Sequence, residues 1–379
     1  MKYKVLHIFS SKTIGGAEKM TLFLAENLQK SGLVENIMGV RKGTYMYEQA
    51  LEKKLETVNF RAGGSFDPVG IFNLIKIIKK YKINIVHVGQ GKLFWQALIA
   101  KVFCPKVKVV FHRRQDTRHG FFSRIHYKFA DAVIAVSKAV ANGLIKYEKV
   151  SADKVNVVYN GVNFKKFKTD TNYGGIVEKY NLRGKKAVGT VGAIVDFKGK
   201  GQIYLIEAAK MLRNDYPDLR YLIVGTGKGI EEQKEYAKKM QVDDIVYFAG
   251  YQENVQKYVL AMDIFCLLSW DTEGMPNVVI EAQALEKPVI VTNIGGNPES
   301  FEDGKTGLLI KPSDAAETAE AIKKLINDPE TAKSFAKAGK EFVEKRFSIE
   351  QMISGAVTVY DKIMKKAEKN QRQKRPLGL

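Results

Sequence analysis

Short continuous runs of aliphatic and β-branched residues alternate with helix-patterned stretches along nearly the whole chain, and this alternation limits the fold more than any other feature. The runs 4–10 (KVLHIFS), 34–40, 83–88 (INIVHV), 107–112 (VKVVFH) and 132–137 (AVIAVS) are apolar without a polar face. Strands buried on both faces read this way, and such strands belong to parallel sheets covered by helices. Between them, Pro68 opens a helix with Ile71, Leu74, Ile75 and Ile78 on one stripe, and 93–103 is an apolar helix. Residues 51–55 read as helical and 58–60 as strand-like. The pattern then starts again: 187–192, 219–225, 245–250, 264–269 and 288–292 are strands with helices between. Two successive doubly wound α/β halves are expected, each a Rossmann-like parallel sheet. The polar stretch 163–181, with Gly174-Gly175 inside it, marks the seam. The expected domains are 1–168 and 169–349. A last long helix spans about 350–370, and a basic, frayed tail runs over 369–379.

The 379 residues are enough for two such cores. The two cysteines, Cys104 and Cys266, lie far apart without metal-ligand spacing, so a disulfide scaffold and a cysteine zinc site are excluded. No run reaches the ~18–20 apolar residues of a membrane span, and the N-terminal apolar run is too short for a signal-peptide core. A cytoplasmic chain, working at or near the inner face of the membrane, is expected. Charge is uneven. Residues 1–168 hold 30 Lys or Arg against 11 Asp or Glu, and residues 169–379 hold 31 against 30. The basic half is suited to an anionic partner: nucleic acid, anionic lipid or a phosphorylated substrate. A merely solubilising lysine surface gives the same count.

The segment Ser269-Trp270-Asp271-Thr272-Glu273-Gly274-Met275-Pro276-Asn277-Val278-Val279-Ile280-Glu281 carries the chemistry. Glu273 falls in the loop after a strand. Pro276 suits the first helical turn, and Glu281 lies one to two turns into the helix. A helix start behind a strand presents unpaired N–H groups and the positive end of the dipole, a seat for phosphate. Carboxylates on either side can accept from hydroxyls, of a sugar on one side and a ribose on the other.

This stretch resembles the E-x7-E motif of retaining GT-B glycosyltransferases of family 4. The resemblance extends, in order, over nearly the whole chain. It takes in Gly15-Gly16-Ala17-Glu18, His112, Ser137, Asn160-Gly161-Val162, Val191-Gly192-Ala193 through Lys198-Gly199, Gly225-Thr226-Gly227 and Gly250-Tyr251. It continues through Ala261-Met262-Asp263, Thr292, Gly295-Gly296, Pro298-Glu299 and Gly307-Leu308. It implies two Rossmann-like domains facing across a cleft, the N-terminal one for the acceptor and the C-terminal one for the donor. The final helix packs back on the first domain. The implied reaction moves a hexose or N-acetylhexosamine from a nucleoside diphosphate sugar to a glycan or lipid-linked acceptor, in cell-envelope polysaccharide synthesis. It needs no metal and no further cofactor. In that reading Glu273 binds sugar hydroxyls, Glu281 the ribose, and Lys198, with Lys200 as its helper, the diphosphate. His112 contacts the donor sugar near the reacting carbon. Backbone at Gly15, Gly16, Gly192, Gly225 and Gly274-Met275-Pro276-Asn277-Val278 lines the donor, and Gly250-Tyr251 flanks the base. Ala193 stands where many relatives carry a second cation, an arginine.

Residues 113–129 interleave arginine with aromatics after the His112 strand. Arg113, Arg114 and Arg118 are candidate contacts for an anionic acceptor or for anionic lipid. Equally, the segment reads as a helix with aromatics inward and arginines in water. His119 and His126 carry no such support. Asp271-Thr272-Glu273 looks like an acidic metal triplet, but the resemblance argues against that use. Three further readings stay open. A sugar-nucleotide epimerase of the same fold would convert donor alone. A nucleic-acid-binding protein would explain the charge, although no known module for it is present and nucleic acid is not the expected partner. A donor-binding protein without transfer would follow from Ala193.

Overall fold

A computed structural model of the chain describes residues 3–10, 15–115, 121–169 and 172–373. Its residues form two compact units, Met1–Gly161 with Ile349–Leu379, and Val162–Ser348. The first unit therefore closes at Gly161, ahead of the polar stretch that marks the seam in the sequence.

In the first unit the strands are β1 (Tyr3–Ile8), β2 (Val34–Val40), β3 (Glu56–Asn59), β4 (Ile85–Val88), β5 (Lys108–Arg113), β6 (Ala132–Ala135) and β7 (Val155–Val157). The helices among them are α1 (Gly16–Lys30), α2 (Tyr45–Glu52), α3 (Pro68–Tyr81), α4 (Phe94–Phe103), α5 (Phe121–Phe129) and α6 (Lys138–Lys146). The sheet order is β3-β2-β1-β4-β5-β6-β7, and every pairing is parallel. In the second unit, α7 (Gly174–Lys179) leads into β8 (Lys186–Val191), α8 (Gln202–Leu212), β9 (Leu219–Val224), α9 (Ile230–Lys239) and β10 (Val246–Gly250). Next come α10 (Val255–Leu260), β11 (Ile264–Leu267), α11 (Asn277–Ala284), β12 (Val289–Thr292), β13 (Gly307–Ile310), α12 (Ala315–Asn327) and α13 (Pro329–Arg346). Its parallel sheet runs β10-β9-β8-β11-β12-β13. The last helix, α14 (Ile349–Gln373), belongs to the first unit.

Both sheets are doubly wound, as the alternation predicts. The central strands are buried along most of their length, with Val5, Leu6, Ile85, Val109, Phe111, Val188, Phe265 and Val289 sealed from solvent. Each such side chain stabilises by about 1.5–3 kcal/mol. Helix α14 spaces Met352, Ala356, Val359, Tyr360 and Ile363 on one stripe and buries it against Val5, Ile85, Val110 and Ile134. That stripe at i, i+4, i+7, i+8 and i+11 is what ties a helix far along the chain to the first sheet.

Details differ from the sequence reading. Residues 51–55 are not a helix of their own: α2 starts at Tyr45 and has ended by Lys53. Thr44 caps it, its side chain accepting from the Tyr47 N–H. On α3 the buried residues are Gly70, Leu74, Ile77 and Ile78, while Ile71 and Ile75 are only half-buried. The stripe is rotated because α4 packs across it. Edge strands β7 and β13 have no counterpart in the sequence reading. They span only Val155–Val157 and Gly307–Ile310, short as edge strands tend to be. The tail beyond 373 and residues 116–120, Arg118 and His119 among them, lie outside the described residues.

Candidate active site

In an open α/β sheet, ligands bind beyond the carboxyl ends of strands where the winding reverses. In the second unit that point lies between β8 and β11, which pair directly. The loop after β8 carries Lys198 and Lys200, and the loop after β11 carries Glu273. The two loops meet. Lys200 Nζ donates to Glu273 Oε1 at 2.6 Å, and Ser269 Oγ donates to the same oxygen at 2.7 Å. Glu273 is nearly buried, its side chain 13% exposed, and Lys200 is more open at 36%.

Two glycines allow this approach. Gly201 has φ +82°, and a Cβ there would sit 1.8 Å from the Leu268 carbonyl oxygen. The Lys200 loop can thus lie against the end of β11. Gly295 has φ +50°, and a Cβ there would come within 2.1 Å of the Glu273 carbonyl oxygen. That oxygen accepts from the Gly296 N–H at 3.1 Å. Thr292 Oγ1, at the end of β12, donates to the Ser269 carbonyl at 2.6 Å. The Glu273 loop is therefore pinned from both neighbouring strands.

Lys198 does not join the pair. Its Nζ lies over the Trp270 ring, 4.5 Å from the centroid, and Trp270 Nε1 donates to the Gly199 carbonyl. The sequence singles out Lys198 as the principal cation and Lys200 as its helper. The geometry reverses their order of approach to Glu273. Gly192, which ends the β8 turn, lies against the Lys200 side chain.

The rest of the predicted donor set falls around these loops. Gly274, Met275 and Pro276 are buried, and Asn277, Val278 and Glu281 are half-buried on α11. Pro276 occupies the position before the helix rather than its first turn, with ψ 91°, and its own side chain makes no capping bond. Glu281 is the fifth residue of α11. Gly225 donates its N–H to the Gly250 carbonyl at 2.9 Å, so these two glycines are neighbours, and Tyr251 beside them is exposed. Ala193 offers no charge, and the side-chain cation drawn into the Glu273 pocket is Lys200.

The first unit holds a different kind of cluster. Its switch point lies between β1 and β4, where His7 and His87 sit side by side in register. His112 lies two residues beyond Val110, the partner of His87 on β5. All three histidines are buried. His7 Nε2 donates to Asn36 Oδ1 at 2.8 Å. His87 bonds the Tyr360 hydroxyl at 2.7 Å and His112 Nδ1 at 3.0 Å. Arg114 bonds His112 Nδ1, Asn160 Oδ1 and Thr21 Oγ1. Burial, and the nearby Arg114 charge, push His7 down to about 4 and His87 and His112 well below the usual histidine range. Desolvation lowers Arg114 to about 10, which leaves it charged at neutral pH. Sequence reasoning finds His112 but misses His7, His87 and Tyr360. The available signal is a histidine inside an otherwise apolar strand, in Leu-His-Ile and Val-His-Val. Arg113 and Arg114 are both half-buried, and the Arg114 guanidinium bonds His112 rather than pointing outward like a phosphate contact. Gly15 and Gly16 open α1, where the Gly15 N–H donates to Glu18 Oε2 at 3.0 Å. Gln90, after β4, joins this group by donating to Glu18 Oε1 and accepting from the Ser10 N–H.

Two family profiles together span most of the chain. Glycosyltransferase Family 4 matches residues 14–166, and Glycosyl transferases group 1 matches residues 175–342. The chain belongs to this glycosyltransferase family. It is 29% identical over 321 residues to the Staphylococcus aureus capsular polysaccharide biosynthesis glycosyltransferase CapM, covering 80% of this chain and 83% of that one. It is 27% identical over 352 residues to the Escherichia coli UDP-Gal:alpha-D-GlcNAc-diphosphoundecaprenol alpha-1,3-galactosyltransferase, covering 86% and 89%. Among solved structures, a Rickettsia africae glycosyltransferase superposes with a TM-score of 0.87 at 24% identity, over 96% of this chain and 99% of that one. Anabaena Alr3699/HepE, solved in complex with UDP, gives 0.84 at 19% identity over 95% and 100%. The fold is that of the GT-B glycosyltransferases, and this family member is a transferase with relatives in capsule and cell-envelope glycan synthesis.

Proposed function

We propose that this glycosyltransferase takes a hexose or N-acetylhexosamine from a nucleoside diphosphate sugar and passes it, with retention, to a lipid-linked or glycan acceptor of the cell envelope. The observation that carries the donor reading is the Lys200–Glu273 pair at the β8/β11 switch point, held there by backbone that only glycine permits. A diphosphate leaving group gains most from a cation already in place. In the donor complex Lys200 exchanges Glu273 for the diphosphate, and Glu273 turns to the sugar hydroxyls. Ser269 keeps that carboxylate oriented. The start of α11 receives phosphate oxygens, and Glu281 the ribose. Lys200 then does what the missing arginine at Ala193 does elsewhere, so the cations come from the chain rather than from a metal. The reaction follows a front-face course in which the departing phosphate helps to deprotonate the acceptor hydroxyl. The protein's part is positioning and electrostatic stabilisation. UDP is the nucleotide to test first, because the E. coli relative is named for UDP-Gal and the Anabaena protein was solved with UDP.

A thermal-shift panel of nucleoside diphosphates and their sugars tests this reading. A ligand at 100 times its Kd stabilises by about 2.7 kcal/mol. A selective shift with one base, abolished in Glu281→Ala, is the expected result. No shift with any nucleotide would sink the donor reading.

A second feature of the first unit supports work at a membrane surface. From Pro68 to Gln115 the chain carries no Asp or Glu and ten Lys or Arg. Helices α3, α4 and α5 of this stretch and its continuation pack side by side. They expose Val69, Phe72, Val102, Phe103 and Phe129, each 59–76% accessible. A groove of about 420 Å³ between Trp95, Leu98, Val102, Pro105 and Phe129 continues this apolar surface. Apolar side chains set among lysines suit an anionic bilayer surface. No helix among the described residues is long and apolar enough to cross a membrane. Cosedimentation with phosphatidylglycerol vesicles, abolished in a Val102→Ser/Phe103→Ser/Phe129→Ser variant, is expected. Equal binding to neutral vesicles, or none to anionic ones, would contradict it.

A further inference from the structure

The buried hydrogen bonds of the first unit have a direction, and one residue sets it. A guanidinium has donors only. Arg114 Nη2 lies 3.3 Å from His112 Nδ1, so Nδ1 carries a lone pair. His87 Nε2, 3.0 Å from the same nitrogen, must then carry a hydrogen. His87 is neutral in this dry, positively charged setting, so its Nδ1 is an acceptor. The Tyr360 hydroxyl, 2.7 Å away, donates to it. Every proton in the chain is thereby placed, and the single proton of His112 lies on Nε2. That nitrogen is buried and has no partner among the described residues. A buried N–H without a partner is destabilising, and a bound oxygen at the end of β5 would relieve it.

We propose that Arg114, His87 and Tyr360 are positioning residues that hold His112 as a neutral imidazole with its proton on Nε2, so that it serves the transferred sugar as a hydrogen-bond donor without charge. This rests on the proposed transferase function and on the family resemblance, which implies that His112 contacts the donor sugar near the reacting carbon. Glycosyl transfer builds positive charge on the sugar ring. An imidazolium beside that ring would oppose the transition state, whereas a neutral N–H supports a sugar oxygen. Burial does most to keep His112 unprotonated, and the Arg114 charge behind it adds Coulomb repulsion. The charged and titratable groups that bear on His112 are Arg114 on its own segment, His87 of β4 and His7 of β1. Tyr360 of α14 joins through His87, and Glu18 of α1 and Tyr360 bear on Arg114. On this account Arg114 serves the donor side through His112. The acceptor contact suggested by the sequence would instead require it to face outward.

The test is ¹⁵N-histidine NMR with steady-state kinetics, on the full chain. Only five histidines are present, so single substitutions assign the signals. Expected in the wild type are Nε2–H tautomers for His87 and His112, with both still neutral well below the pH at which an ordinary histidine takes up its proton. Arg114→Met should let His112 populate both tautomers and titrate. Its kcat should fall about tenfold or more at pH 6 relative to pH 8, the worth of one misplaced hydrogen bond. The acceptor KM should stay unchanged, and Arg114→Lys should restore the pH profile. Should Arg114→Met fail to fold, Tyr360→Phe reads the other end of the chain. The His87 Nδ1 resonance should move and kcat fall severalfold at constant KM. A wild-type His112 with its proton on Nδ1 would overturn the proposal. So would an Arg114→Met enzyme that raises only the acceptor KM. Correct tautomers with full turnover in His112→Ala would locate the error in the donor-contact reading, and the positioning role would fall with it.

Discussion

The two units place polar groups at the same topological position in opposite electrostatic states. At the β8/β11 switch point the groups are ionised, partly open and paired, Lys200 with Glu273. At the β1/β4 switch point and the neighbouring β5 they are buried histidines held neutral beside one inward arginine. The first arrangement is suited to receive charge, because a mobile lysine can trade one anion for another. The second is suited to present a hydrogen bond without adding charge. The same winding thus supports two chemistries, and the difference lies in loop glycines on one side and strand histidines on the other.

The largest expected effect sharpens the ionised side. Glu273→Ala and Lys200→Ala should each lower kcat by about 10²–10³, the range for removing one preorganised electrostatic partner. Their thermal unfolding should match the wild type. Turnover within a few-fold of wild type in both would show that the Lys200–Glu273 pair is not part of the catalytic electrostatics.

Acid should act on the neutral side. His7 is held near 4 when folded, against 6.5 in the unfolded chain. Between those values the unfolded chain binds the extra proton, so stability falls as pH drops through that window and is undiminished above about 6.5. For His7 alone the loss is on the order of 3 kcal/mol by pH 4. His87 and His112, shifted in the same direction, add to it. Urea unfolding followed from pH 7 to pH 4.5 should show the first unit weakening. A first unit as stable at pH 4.5 as at pH 7 would mean that these histidines are not buried neutral.

Next comes the backbone. Gly201→Ala combines a left-handed φ with a Cβ against the Leu268 carbonyl. It should cost at least the ~1–3 kcal/mol of a strained position, read as a lower urea midpoint. An unchanged midpoint would show that the Lys200 loop does not need that close approach. The smallest effect is expected from Lys198→Ala. An ammonium over an indole ring is worth about 0.5–1 kcal/mol at an exposed site, and kcat should change by less than about fivefold.

Much of this is legible in the sequence because it depends on local pattern. Continuous apolar runs report the parallel sheets, and E-x7-E places both carboxylates around one helix start. What stays hidden depends on the meeting of distant segments. Lys198 and Lys200 are indistinguishable by spacing alone, both beside glycine after the same strand. Only the fold of the Gly199–Gly201 turn shows which one reaches Glu273, 73 residues on. Arg114 reads as a surface cation in a basic, aromatic-rich segment, and its inward turn is set by Asn160, Thr21 and His112. Tyr360 falls within the expected last long helix, where nothing in the sequence singles it out. Its hydroxyl gains meaning only because α14 lies on the first sheet, 273 residues from His87.

On the proposed reading Lys200, paired with Glu273, is the residue that meets the donor's diphosphate. Calorimetric titration of UDP, or of whichever nucleoside diphosphate the panel selects, into the wild type, Lys200→Ala and Lys198→Ala tests it most directly. At least about tenfold weaker binding is expected for Lys200→Ala, the worth of one charge-assisted hydrogen bond to phosphate, with near wild-type binding for Lys198→Ala. Weakening by Lys198→Ala alone would contradict it and return the diphosphate to the lysine over Trp270.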